Sequence, residues 1–331
     1  MKDIITLDYG SGGTKTARLI EEILLPALKN PALSALGDGA VLPGSEKLVF
    51  STDSFVVTPW RFPGGDIGKL CVCGTVNDLC MTGGSPRYLS LSFLLEEGFA
   101  LDDFREIVSS VADEAKKCGV AVVTGDTKVV ERGKGDGIYI NTAGIGFQRV
   151  FLPGQSGILP GDRVLLSGTA GCHGAAVMLA RTGLDTGNLV SDCAPLSLLS
   201  CAVTEAATVR ILRDPTRGGV ATTLNEFVEH MPFGIELTEN DIPVEPAVEA
   251  ACGLLGLDPL YCACEGRMLA VVSPDSADAA LAALHAAPGG EQAACIGTVT
   301  NRFPGQVTLK TALGGTRLLQ KLSGQQLPRI C

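Results

Sequence analysis

Apolar residues recur at helical spacing over residues 14–29, where Leu19, Ile23, Leu24 and Leu28 fall near one stripe. Pro26 is expected to kink or end the last turn of that helix, because proline has no backbone N–H to donate. Two β-rich runs, 48–51 and 54–57, flank Asp53. A helix is predicted over 66–81, with Asp66 as N-cap and Gly83-Gly84 as the stop. A strand follows at 88–95, a helix over 101–118 closed by Gly119, and strands at 120–124 and 138–147. The segment 153–157, with two glycines and a proline, is the best linker candidate. A second unit opens with the run 162–167. Its predicted helices lie near 173–182, 195–210, 216–230, 244–255 and 275–286, and its strands near 234–237, 267–273, 294–299 and 307–310. Both halves mix strands with helices, so the expected class is α/β or α+β in two domains, 1–152 and 153–321. Residues 322–331 are left as a polar, glycine-containing tail, read as mobile.

Composition narrows the function. The chain has 331 residues, 46% of them hydrophobic, which is ample for two cores. A net charge of −10 argues against broad binding to nucleic acid or an anionic membrane. It leaves room for a nucleotide, because carboxylates can hold the magnesium that accompanies phosphates. No apolar run approaches the ~20 residues of a membrane span, and the early acids Asp3 and Asp8 do not suit a signal peptide. A cytoplasmic location is expected. The twelve cysteines are then expected to be reduced and mostly buried. Cys71-Val72-Cys73 and Cys262-Ala263-Cys264 lack the spacing of structural zinc sites, and three histidines give little support to one.

Several residues carry possible chemistry. Cys331 closes the sequence behind the polar stretch 323–326, so it reads as a thiol on a tether that could visit an active site; a frayed end with an incidental cysteine is the plainer alternative. Four acids stand at glycine-flanked turns, strand ends or inside an apolar helix: Asp38, Asp53, Asp78 and Asp126. Each alone could cap a turn or helix. Together they suit a shared Mg²⁺, which prefers carboxylate oxygens and would offset the loss of hydration at such positions. The run Gly10-Ser11-Gly12-Gly13 precedes a helix and could cradle phosphate through its backbone N–H groups. It is neither a Walker loop nor a dinucleotide fingerprint. Lys128, after Asp126-Thr127, could reach the same site. Glu265 stands before a predicted strand, where a raised pKa would make it a base. The segment Asp214–Gly219 reads as an anion-binding turn or as simple capping, with Thr216 as N-cap. His173 and His230 read as structural.

Taken together, these segments resemble the hydrogenase-maturation carbamoyl dehydratase family (HypE-like). The matching pieces are Gly10–Gly13, Gly37-Asp38-Gly39-Ala40, Thr52–Val57, Pro63–Leu70, Gly74–Leu79, Thr124–Glu131, Arg213–Gly219 and Pro328-Arg329-Ile330-Cys331. The Pro63–Asp78 stretch and the closing residues are the specific parts. The glycine and aspartate turns are shared with a wider superfamily that includes aminoimidazole ribonucleotide synthetase, selenophosphate synthetase and thiamine-phosphate kinase. The resemblance implies the two-domain synthetase-like fold, a homodimer built through the N-terminal domains, and ATP near the dimer interface. It implies that a partner carbamoyltransferase loads Cys331, that ATP-dependent dehydration yields a thiocyanate, and that cyanide passes to iron on a scaffold maturation complex. By the same resemblance Asp38, Asp53, Asp78 and Asp126 contact magnesium or nucleotide. Gly10, Ser11, Gly12, Gly13, Asp38, Asn77, Thr127 and Asp214 serve ATP binding, Asn77 and Asp214 more as positioners, and Lys128 and Glu265 relay protons.

Three positions depart from the family pattern: Tyr9 where His is usual, Cys172 where Asp is usual, and Cys264 where Asn is usual. A thiol is a weaker hydrogen-bond partner than an amide, which bears on Glu265 next door. Selenophosphate synthesis would call for a reactive Cys followed closely by Lys in the N-terminal glycine segment, where Tyr9 stands instead. A small-molecule kinase has no use for a tethered thiol. A carrier that binds partners through its tail would consume no ATP.

Overall fold

The stretch 14–29 is helical, as its apolar spacing predicts, but in three pieces. A computed structural model describes residues 3–11, 13–36, 39–184, 187–322, 327 and 329–331. In it α1 (Thr14–Leu19) runs through a π-helical turn, Ile20–Leu24, into α2 (Leu25–Leu28). Pro26 is the cause: it cannot donate to the Glu22 carbonyl, and Leu25 N–H bonds back to Ile20 instead.

The rest of the N-terminal half comprises β1 (Leu48–Phe55), a short hairpin of β2 (Arg61–Phe62) and β3 (Gly65–Asp66), α3 (Ile67–Met81), β4 (Gly84–Glu96), α4 (Leu101–Cys118), β5 (Ala121–Val130) and β6 (Ile138–Gln148). The sheet order is β1-β6-β4-β5, with only β4 and β5 parallel. The two runs expected around Asp53 are one continuous strand, so Asp53 pairs with Thr142 within the ladder and is not at a strand end. Asp66 caps α3 as expected, accepting the N–H groups of Gly68 at 2.7 Å and Lys69 at 3.0 Å. Every residue of α3 except Lys69 and Asp78 is buried, which fits a helix apolar on all sides. It packs on the sheet, on α4 and against the C-terminal half. The other sheet face leaves Leu48, Phe50 and Leu94 exposed.

The C-terminal half holds β7 (Arg163–Leu166), α5 (Cys172–Arg181), α6 (Ser197–Ala206), β8 (Val209–Arg213), α7 (Gly219–Val228), β9 (Gly234–Thr238), α8 (Pro246–Leu255), β10 (Leu269–Val272), α9 (Ala277–Ala286), β11 (Ala294–Thr300), β12 (Val307–Lys310) and β13 (Thr316–Leu319). Its sheet runs β13-β12-β9-β11-β7-β10-β8. Two expectations are corrected. The helix predicted over 195–210 ends at Ala206, and β8 pairs with β10 directly afterwards. Thr216 is not an N-cap: α7 starts from Gly218, in the left-handed region at φ 77°, with no side-chain cap.

Asn77 ties the halves together. Its Nδ2 donates to the carbonyls of Ala194 (3.1 Å) and Glu265 (3.2 Å), and its Oδ1 accepts the Leu196 N–H (2.8 Å). It is 1% exposed, so water cannot replace these bonds. Asn77→Leu is expected to lower stability by about 2–4 kcal/mol, since it strands buried backbone groups. Urea denaturation measures this; a loss under about 0.5 kcal/mol would mean the bonds are dispensable.

Candidate active site

The segment read as a free tail is docked at its end. Beyond β1 the chain runs beside residues 329–331: Val56 N–H donates to the Cys331 carbonyl at 3.0 Å, Thr58 N–H to the Arg329 carbonyl at 3.3 Å, and Arg329 Nε to the Val56 carbonyl at 2.9 Å. The Arg329 guanidinium pairs with Asp136, and Arg181 donates to the carbonyls of Arg329 and Thr58. His173 bonds the Ile330 carbonyl, and Ile330 is buried. The stretch expected to be flexible, 323–326, lies outside the described residues.

Docking sets Cys331 at the wall of a cavity of about 850 Å³ shared with Asp53, Asn141, Asp214, Arg217 and Ala263. Burial, then the charges of Glu265 and Asp53, push its thiol up to about 12, while Arg217 acts in the opposite sense. At neutral pH the sulfur is therefore a thiol. Arg329, two residues before the thiol, is engaged by Asp136 and the Val56 carbonyl.

Glu265 is 2% exposed, and its Oε1 has no hydrogen-bond partner. Burial drives its carboxyl well above the usual range, and Cys193, Asp214, Asp192 and Asp53 add to the effect. Its backbone is fixed by three contacts: its N–H donates to Asp192 Oδ1 (3.1 Å), its carbonyl accepts from Asn77, and Cys264 N–H donates to the Pro215 carbonyl (3.0 Å). A Cβ at Gly266 would collide with the Asp192 carbonyl, so only glycine permits this approach. The departure at Cys264 is absorbed locally, its Sγ accepting the Gly171 N–H at 3.1 Å.

Asp53 and Asp214 feel Asp78 as a like charge. Asp78 also accepts the Ser51 hydroxyl at 2.7 Å. Burial first, then Asp78, raise Asp214 from 3.8 to about 7. The unfolded chain releases this proton near pH 4 and the folded chain near pH 7, so Asp214's contribution to stability falls as pH rises across that window. Asp214→Asn is expected to flatten the decline of Tm from about pH 5 to about pH 7. An unchanged slope would contradict the desolvation of this carboxyl.

The remaining expected residues lie elsewhere. Asp126, Thr127 and Lys128 on β5 share with Gly10 a second cavity of about 290 Å³, walled by Leu24, Leu28 and Phe93. Lys128 Nζ meets Asp126 Oδ1 at 2.7 Å and holds that carboxyl below its usual range. Gly10 lies against β5, where a Cβ would stand 2.5 Å from the Val129 nitrogen. Ser11 bonds the Asp8 carbonyl at 3.0 Å, and Gly13 precedes α1. Gly12, Gly37 and Asp38 lie outside the described residues. Three strand spacings, about 14 Å, separate β1 from β5. Asp126 therefore does not converge with Asp53 in one chain, and Lys128 lies on the same far edge as Asp126. The carboxylates that act on Cys331 are Glu265, Asp53 and Asp214, and Asp78 acts in turn on the last two. Among the described residues no three acid, Cys or His side chains stand as a ready metal cage.

Sequence reasoning held Arg217 only as part of an anion-binding turn, and it passed over Asp192 and the contact of His173 with the Ile330 carbonyl. Nothing local marks them, because each acts on a residue more than 50 positions away.

The two halves match family models described as AIR synthase related protein, the N-terminal domain over residues 36–148 and the C-terminal domain over 160–310. Fold and site thus define a two-domain protein of the AIR synthase-related class. Carbamoyl dehydratase HypE of Cupriavidus necator is 48% identical over 99% of this chain and 95% of its own length. The crystal structure of hydrogenase maturation protein HypE in complex with ATP has a TM-score of 0.93 at 46% identity, covering 98% of this chain and 99% of that one. A HypE–HypF complex gives 0.78 at 44% identity, over 92% and 99% of the two chains. The chain belongs to the HypE family of carbamoyl dehydratases.

Proposed function

We propose that Cys331 carries a carbamoyl group on its sulfur and that this protein dehydrates it, at the expense of ATP, to a thiocyanate. The thiocyanate then supplies the cyanide ligand for NiFe-hydrogenase iron-centre assembly. The observation that carries the reading is the docking of Ile330 and Cys331, which sets the thiol in one cavity with Asp53, Asp214 and Arg217 and within reach of the Glu265 charge. No helix among the described residues is long and apolar enough to cross a membrane, and the reaction is assigned to the cytoplasm.

The net change at the thiocarbamate is the loss of one oxygen and two hydrogens. The C–O bond breaks, both N–H bonds break, and a C≡N bond forms. ATP supplies the phosphoryl group that makes the departing oxygen a good leaving group. Glu265 takes one proton from the carbamoyl nitrogen, and the departing phosphate carries away the other: buried and short of hydrogen-bond partners, Glu265 is a strong base once ionised. Arg217 offsets negative charge beside Cys331. The docked strand fixes the reacting sulfur, so the encounter is intramolecular.

The residues present fit magnesium in a limited way. Asp53 and Asp78 repel each other across a partly buried space, and a hard cation would relieve this. With no third acid in ligating position among the described residues, it would also need water and phosphate oxygens, as Mg²⁺ commonly does. The apolar second cavity, with Asp126, Thr127 and Lys128, suits a nucleoside.

A homodimer completes the assignment. The outer sheet face carries a cross-strand row of Phe50, Ile145 and Tyr88, with Phe50 68% exposed. A second copy covering this face could bring its own Lys128 edge to the Asp53 edge of the first. Phe50→Asp is expected to yield monomers by light scattering and to lose most activity; a fully dimeric variant would refute this interface. A carbamoyltransferase is assigned as the donor to Cys331, in line with the relative solved as a HypE–HypF complex, and an iron-scaffold complex as the acceptor.

The test is dehydration by the carbamoylated protein. ATP consumption that depends on carbamoylated Cys331 supports the reading. ATP consumption independent of it points to a small-molecule kinase, and none at all points to a carrier.

A further inference from the structure

His173 is fully buried, and both ring nitrogens are used: Nδ1 meets Ser191 Oγ at 2.7 Å, and Nε2 meets the Ile330 carbonyl at 2.8 Å. A carbonyl can only accept, so Nε2 carries the proton and Nδ1 must accept from the Ser191 hydroxyl. Ser191 is itself held, its N–H donating to the Pro63 carbonyl at 2.8 Å and its Oγ accepting the Cys193 N–H at 3.0 Å. A Cβ at Gly64 would stand 2.8 Å from the Ser191 nitrogen, so the two loops meet backbone to backbone. The Phe62 ring closes the other side edge-on, with centroids 5.3 Å apart. Burial lowers His173 to about 4, so the ring is neutral near pH 7 and keeps one N–H for the tail.

The next residue links this contact to the candidate base. Asp192 accepts the Glu265 N–H through Oδ1 and is paired with Arg267 at 3.8 Å. The segment 191–193 thus sets the carbonyl immediately before Cys331 on one side and the backbone of Glu265 on the other.

We infer that His173, fixed in one tautomer by Ser191, is a positioning residue that latches the Ile330 carbonyl and so registers the Cys331 sulfur against Glu265. The inference rests on reading Cys331 as the reacting residue. A histidine that only filled space would need neither the Ser191 hydroxyl nor an N–H aimed at the chain end.

The test uses the full-length protein and three variants, His173→Ala, Ser191→Ala and His173→Gln. Glutamine keeps an N–H donor near the position of Nε2. Two rates are measured: iodoacetamide labelling of Cys331, read on the 322–331 peptide after cleavage behind Lys321, and single-turnover dehydration by carbamoylated protein over a range of ATP concentrations up to saturation. Both alanine variants are expected to label about tenfold faster and to turn over about tenfold more slowly, with the KM for ATP unchanged, in keeping with loss of one buried hydrogen bond. Glutamine should restore both rates towards wild type. Folded alanine variants that label and turn over like wild type would overturn the latch, and so would a glutamine variant no better than alanine. If His173→Ala does not fold, Ser191→Ala decides, because it leaves the ring in place. The labelling arm does not depend on activity. A Cys331→Ala protein that still made product would remove the reading of Cys331, while the labelling rates would still judge the latch.

Discussion

Cys331→Ala is expected to abolish cyanide delivery outright while leaving folding and ATP affinity at wild-type values. The loss is total because the proposed reaction uses the sulfur as the substrate's attachment point, and an alanine methyl cannot form a thiocarbamate. The fold should survive because the hydrogen bonds described for this end of the chain do not use the Cys331 side chain: they include Val56 N–H to the Cys331 carbonyl, His173 to the Ile330 carbonyl, and Thr58 to the Arg329 carbonyl. An alanine keeps all three. Calorimetric titration with ATP checks the second half of the expectation. A variant that lost nucleotide binding would show that residue 331 serves the pocket and not the chemistry.

Glu265→Gln should lower the dehydration rate by about two to three orders of magnitude, the range that removing a positioned general base gives. Glutamine is nearly isosteric, and the loop contacts run through the backbone: the Glu265 N–H to Asp192 and its carbonyl to Asn77. The drop should therefore come without loss of stability. The pH profile separates this from a structural effect. The Glu265 carboxyl is held well above its ordinary range, chiefly by burial, so it is protonated at low pH and gains basicity only as pH rises through that raised value. Wild-type rates should climb with pH over this limb, and the residual rate of the glutamine variant should not. A parallel climb in both would assign the base to another group.

Features written in short stretches of sequence were legible. Asp66 capping α3, Gly119 closing α4 and the alternation of β4 and β6 each depend on neighbours a few positions apart. The resemblance added the class and the candidate residues. What stayed hidden depends on which distant segments meet. Asp53, Asp78 and Asp126 look alike in sequence, yet the sheet order sends Asp126 to the opposite edge from Asp53. Arg329 is two residues from the thiol in sequence, but Asp136 engages it, and the cation acting on the sulfur is Arg217. The predicted helix 195–210 overruns into the first residues of β8, because nothing local ends it at Ala206, and only the pairing of β8 with β10 decides. His173 sits in a small-residue stretch that carries no sign of the Ile330 carbonyl 157 positions away. The polar composition of 323–326 suggested a loose end, whereas buried Ile330 supplies the apolar contact that seats it.

Intact-mass spectrometry, resolved to the 322–331 peptide, tests the central claim most directly. The protein is incubated with a carbamoyltransferase and carbamoyl phosphate, and then with ATP. The account predicts a gain of about 43 Da on Cys331, followed on ATP addition by a loss of about 18 Da from the same residue, as covalent attachment and dehydration require. A mass change on any other residue, or cyanide formed while the Cys331 peptide stays unmodified throughout, would contradict it.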